Sequence, residues 1–148
     1  MINWKKKAEK KKSEQMLEYC EPRLAVIGNK EFSDYNFLRI LLDKFIPLAA
    51  IVSGGAAGTD SLARKYSADS NIAFKEFLPI HVGCGDDAKH RRDRLIVDNC
   101  DLILAIWDGK CTGTKYTLEY GIKKGKPIAI INLNKIRQVK SILAEKKI

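Results

Sequence analysis

The sequence predicts an α/β fold: a parallel sheet with helices on both faces. Three observations carry this. Five short apolar runs recur along the chain, each too short to be a buried helix. Amphipathic helical patterns separate them. Two of the turns from apolar run to helix are rich in glycine, Ser53 to Asp60 (SGGAAGTD) and Trp107 to Thr114 (WDGKCTGT).

The elements follow in order. Residues 1–21 read as a mostly polar, lysine-rich helix that Pro22 ends. Leu24 to Gly28 is the first buried strand. Ser33 or Asp34 can cap a helix whose stripe is Phe37, Leu38, Leu41, Leu42 and Phe45. Ala49 to Val52 is the second strand, Thr59 to Asn71 the second helix of the body, and Phe74 to Ile80 the third strand. Residues 81–87 (HVGCGDD) form a loop before a helix over Asp87 to Asn99. Asp101 to Trp107 is the most apolar strand, and Thr114 to Lys124 the next helix, with Gly125 as its C-cap. Pro127 to Ile131 is the fifth strand, and Lys135 to Lys146 a last amphipathic helix. Strands alternating with helices require right-handed crossovers, so the layers form a three-layer Rossmann-like sandwich with extra terminal helices.

A chain of 148 residues suffices for one domain with its own core. The only composition break lies near Pro22. It divides a basic N-terminal helical arm, residues 1–22, from a binding domain, residues 23–148. No apolar run approaches the ~20 residues of a membrane span, and the lysine-rich start lacks the apolar stretch of a secretory signal. Four cysteines without Cys-x-x-Cys spacing read as reduced thiols, with no metal site expected and a cytoplasmic location. The net charge of +9 sits mostly in the ends: +3 in residues 1–23 and +4 in residues 135–148. Such ends are solvated helical arms, a route to a homo-oligomer, or a surface attracted to nucleic acid, which is the less favoured partner.

In such a sheet, ligands bind at the carboxyl ends of the strands. Three loops there are unusual: Gly28, Asn29 and Lys30 after the first strand; Ser53, Gly54, Gly55, Gly58, Thr59 and Asp60 after the second; Trp107, Asp108, Gly109, Gly113 and Thr114 after the fourth. Glycine there permits positive φ and removes the Cβ atoms that would block a ligand. A helix start offers N–H groups and partial positive charge to an anion, so two of them at one sheet edge suit a phosphate. Gly55 and Gly113 are the positions where a side chain is expected to block the ligand and spare the fold. Thr59 and Thr114 cap their helices or donate to the phosphate. Asp60 complements the helix dipole, orders its loop or accepts from a ribose hydroxyl. Arg92 can clamp a phosphate bidentately. Trp107 covers the core or stacks on a base.

These residues resemble the SLOG superfamily of Rossmannoid nucleotide-binding proteins, and within it the YspA/YpsA-related branch. The resemblance rests on Gly28-Asn-Lys-x-Phe-x-Asp34-Tyr35, SGGAAGTDSLA, the Arg92-Asp93 pair and AIWDGKCTGT, and covers about Leu24 to Asn132. It implies a strand order of 3-2-1-4-5 and a nucleotide-derived ligand: a nucleotide, ADP-ribose, NAD or a signalling relative. No other cofactor is required. It also implies binding roles for Gly54, Gly55, Gly58 and Asp60, for Asp108, Gly109, Gly113 and Thr114, and for Arg92 reaching across. Relatives include the "lonely guy" phosphoribohydrolases and the DNA-processing DprA/Smf proteins. The chain departs from the pattern at Lys30, where the branch often has arginine, and at the Arg-Asp pair, where it has Arg-Asn. The phosphoribohydrolases carry a glutamate where this chain has Thr117; Glu119 lies about 200° around the helix from it. The leading expectation is therefore a sensor or sequestering protein for a nucleotide-derived ligand. A hydrolase of an N-glycosidic or pyrophosphate bond, using Asp60 or Asp108, is one alternative. A DprA-like single-strand nucleic-acid binder is the other.

Overall fold

A computed structural model describes residues 20–79 and 87–138. Among them, five parallel strands form one sheet: β1 (Arg23–Gly28), β2 (Ala50–Ser53), β3 (Ala73–Glu76), β4 (Leu102–Trp107) and β5 (Ile128–Asn132). The spatial order is β3-β2-β1-β4-β5, as the resemblance implies. Four helices connect the strands: α1 (Tyr35–Asp43), α2 (Thr59–Asp69), α3 (Asp87–Asp98) and α4 (Thr112–Lys123). Residues 133–138 begin a further helix. The architecture is a Rossmann-like α/β fold.

Strand alternation sorts the core into two layers. On β1, Leu24 and Val26 face a cluster with Leu38 and Leu42 of α1 and Ala63 and Tyr66 of α2. Ala25 and Ile27 face the opposite layer, with Ile96 and Val97 of α3 and Leu118 of α4. Both faces of β1 and β4 are thus buried, which is why these strands read as unbroken apolar runs. Of the two capping candidates for α1, Asp34 acts: its carboxylate accepts from the Phe37 N–H at 3.1 Å. Gly125, at φ +72°, follows the end of α4, and the Lys126 N–H donates back to the Gly121 carbonyl.

Most element ends lie one or two residues from expectation, and two differences bear on the site. The third strand ends at Glu76 rather than running to Ile80, because β2 stops at Ser53 and leaves it no ladder partner beyond the Phe77 N–H bond to the Ser53 carbonyl. α4 starts at Thr112, two residues early, with Cys111 as the N-cap. Residues 1–19 of the expected arm, loop residues 81–86 and all but the start of the last helix lie outside the described residues; residues 20 and 21, expected in the arm's helix, are not helical. No helix among the described residues is long and apolar enough to cross a membrane.

Candidate functional site

The strand order reverses between β1 and β4, and a two-part cleft opens at their carboxyl ends. An outer cleft of ≈ 470 Å³ is lined by Lys30, Gly54, Gly55, Lys89, His90, Arg92 and Gly113, among others. That volume falls within the range of small-ligand sites. It shares a wall with a smaller chamber of ≈ 80 Å³, whose polar lining includes Lys30, Asp60, Arg92, Asp93, Thr114 and Thr117. Cys111 lines both.

Arg92 stands at the junction. Its Nη1 donates to the Gly54 carbonyl at 2.6 Å and its Nε to Asp93 Oδ1 at 2.7 Å. Bonds on two edges fix the plane of the guanidinium. A Cβ on Gly54 would lie 2.8 Å from Arg92 Nη1, so this glycine makes room for the arginine.

The loop between β2 and α2 is bonded internally. Asp60, almost fully buried, accepts from the Ala56 N–H at 3.1 Å. The Thr59 N–H and hydroxyl both donate to the Asn29 carbonyl, at 3.2 and 2.9 Å. Ser53 donates to the Val26 carbonyl at 3.0 Å. Thr59 therefore does not cap α2; the N-cap is Gly58, and no side chain bonds there. A Cβ on Gly58 would strike the Lys30 backbone carbonyl, and one on Gly28 the Ile106 carbonyl. These two glycines permit the loops to pack on one another.

The loop between β4 and α4 is built differently. Asp108 Oδ1 accepts from the Lys110 and Cys111 N–H groups at 2.8 and 3.0 Å and so folds the turn. Trp107 Nε1 donates to the Cys111 carbonyl at 3.0 Å, and its ring packs against the α3/α4 core layer. The start of α4 has no side-chain cap, and a Cβ on Gly113 would meet nothing within 4 Å. Thr114 lies in the first turn, its hydroxyl 3.5 Å from the Cys111 sulfur.

The carboxyl groups divide by environment. Burial raises the pKa of Asp60 above the ordinary carboxylate value, against the pull of the Ala56 N–H, Ser53 and Arg92. Burial likewise raises Asp93, against Arg92, His90 and Thr117. The Lys110 and Cys111 N–H groups hold Asp108 below that value. Glu119 is exposed and pairs with Lys115 at 3.9 Å, on a different side of α4 from Thr117, which lines the chamber.

Of the residues singled out in sequence, Gly28, Lys30, Gly54, Gly55, Asp60, Arg92, Gly113 and Thr114 line the cleft or chamber. Asn29, Ser53, Gly58, Thr59, Trp107, Asp108 and Gly109 do not line either part. Lys89, Asp93, Cys111 and Thr117 are among the other residues of the lining. Lys89, Arg92, Asp93 and Ile96 recur at i, i+3, i+4 and i+7, a helix face that spacing alone could have pointed out. His90 stacks on Tyr116 at 4.0 Å between ring centroids. Among the described residues no group of acidic, cysteine or histidine side chains is placed to hold a metal ion.

Fold and site together define a Rossmann-like α/β protein with a basic, glycine-edged cleft at its topological switch point. No family model and no curated protein matches the chain. Among solved structures, it is similar to DNA processing protein A from Helicobacter pylori, a structure that describes a single-stranded DNA binding mode. The TM-score is 0.57 at 19% identity, over 73% of this chain. The match spans 64% of the other chain, less than two thirds of its length. At this identity the likeness establishes the shared fold.

Proposed function

We propose that the cleft binds a nucleotide-derived phosphate ligand, and that the protein senses or sequesters it. The observation that carries this is the start of α4. It lacks a side-chain cap, it has open space at Gly113, and it shares the outer cleft with Lys30, Lys89 and Arg92. N–H groups and cations gathered on one concave surface suit an anionic phosphate. Hydrolysis has less support. Asp60 and Asp108 each accept N–H groups of their own loop, and Glu119 is exposed and paired. The test is calorimetry with ADP-ribose, NAD and the nucleoside monophosphates on the unsubstituted protein and on Arg92→Lys and Gly113→Val. At least about a tenfold loss of affinity is expected in each variant, since a charge-assisted hydrogen bond is worth roughly 1.5–3 kcal/mol. Unchanged affinity in both removes the site.

A second reading, binding of single-stranded nucleic acid, is favoured by the likeness to the H. pylori protein more directly than the first reading is. The basic charge at the two ends of the chain supports it as well. The two readings differ in salt dependence. A strand contacting many phosphates loses affinity steeply with salt, with a log–log slope of roughly −0.7 per phosphate, whereas a mononucleotide contacts one or two charges. Fluorescence anisotropy of a labelled oligonucleotide across a salt series distinguishes them.

A further inference from the structure

The chamber and the outer cleft share Arg92 and Lys30 but differ in charge. The chamber sets these two cations against two carboxylates, Asp60 and Asp93. Among the described residues, the outer cleft sets three cations, Lys30, Lys89 and Arg92, against the one carboxylate of Asp93. We propose that Asp93, with Asp60, makes the chamber a subsite for the sugar hydroxyls of a ribonucleotide and leaves the ligand's phosphate in the outer cleft. This rests on the nucleotide-ligand reading and adds which end of the ligand enters which compartment.

The argument is one of donors and acceptors. An ionised carboxylate only accepts hydrogen bonds, and so does an ionised phosphate. A phosphate pushed into the chamber would face two acceptor-only groups of its own sign. A hydroxyl is a donor and suits them. Asp60 already accepts from the Ala56 N–H and Asp93 from Arg92 Nε, and Ser53 and Thr117 lie close to them. Each of those two hydroxyls has one proton and directs it to a carbonyl, Val26 at 3.0 Å and Gly113 at 3.0 Å, so both carboxylates keep acceptor capacity for a further donor. Arg92 has two of its donors on Gly54 and Asp93. Both carboxylates are more than nine-tenths buried, at 8% exposure for Asp60 and 7% for Asp93, so water solvates them poorly and a ligand donor gains more there. Their raised pKa values reflect the same desolvation. Size agrees: ≈ 80 Å³ admits part of a sugar and leaves the base outside. In a nucleotide the donor-rich group next to the phosphate is the ribose.

The experiment uses the full chain and the four ribonucleoside monophosphates, each beside its 2′-deoxy and 3′-deoxy counterpart. At least one deoxy form is expected to bind about tenfold or more weakly, the effect of one hydrogen bond to a buried charged group. Asp93→Asn and Asp60→Asn should each flatten that preference, because an amide carries one acceptor oxygen in place of two. Either variant suffices if the other fails to fold, and the sugar comparison on the unsubstituted chain needs no variant. Equal binding of the ribo and both deoxy forms overturns this inference and leaves phosphate binding standing. An undiminished ribose preference in both variants overturns it as well. Binding of none of the four nucleotides overturns the nucleotide reading and this inference with it.

Discussion

The two glycine-rich loops look alike in sequence and are built on opposite grounds. In the β2–α2 loop the glycines answer to the protein. Gly55 and Gly58 sit at φ +71° and +73°, and added Cβ atoms would collide with Glu76 and Leu78 at the first and with the Lys30 backbone at the second. Asp60, Asn29 and Arg92 take up the polar groups of that loop. In the β4–α4 loop, Gly113 answers to nothing among the described residues: it lies in the first turn of a helix, beside open space, with no side-chain cap. One loop is a wall and the other is an opening. Glycine content marks both and separates neither.

Substitutions sharpen this contrast. The largest effect is expected at Gly58→Ala, where positive φ and a backbone collision act together. It should lower stability by at least about 2 kcal/mol, measured by urea denaturation. Gly55→Ala shares the positive φ but meets only the side-chain ends of Glu76 and Leu78, so a smaller loss is expected there, against the expectation that a side chain at Gly55 would spare the fold. Gly113→Ala should do the reverse. Removing a helical glycine stabilises by roughly 0.5–1 kcal/mol, while nucleotide affinity falls. A destabilised Gly113→Ala would place that residue with the wall.

A smaller effect distinguishes the carboxylates of the two loops. Carbon-detected NMR titration should find Asp60 above the ordinary value of about 3.9 and Asp108 below it. The signs for stability are opposite. With its native pKa raised, Asp60 binds its proton more tightly in the folded state. Its contribution is therefore largest at low pH and declines as pH rises from about 3.9 through the native value. With its native pKa lowered, Asp108 contributes above about 3.9 and loses that contribution as pH falls through its native value. Reversal of the order would show that burial does not dominate at Asp60.

Much of the fold was legible because period and length carry it. The apolar runs marked all five strands, and the stripe of Leu38 and Leu42 marked the face of α1. The overrun of the third strand was not legible, since Phe77 and Leu78 are as apolar as a strand and only the end of β2 stops the ladder. The site was half legible. Glycine loops and Arg92 announce themselves by type. Asp93 and Thr117 do not, because their exposure to a cavity depends on how α3 and α4 lean together. The failure of Thr59 and Thr114 to cap was invisible too: the Thr59 hydroxyl bonds a tertiary partner, Asn29, and the helix that holds Thr114 starts two residues before it.

Asn29 joins the two loops. Its carbonyl accepts from Thr59 and from Phe32, its N–H donates to Ile106, and its Oδ1 accepts from the Asp108 N–H at 3.3 Å. Through one residue the ends of β1, β2 and β4 are cross-linked before any ligand arrives. A rigid rim gives up little conformational entropy on binding. The exposed Lys30 and Lys89 are the flexible cations left to be ordered, at about 0.5–1.5 kcal/mol for each side chain. Association should then resemble docking onto a preformed surface, with fast on-rates and with affinity differences among ligands expressed in how slowly they leave.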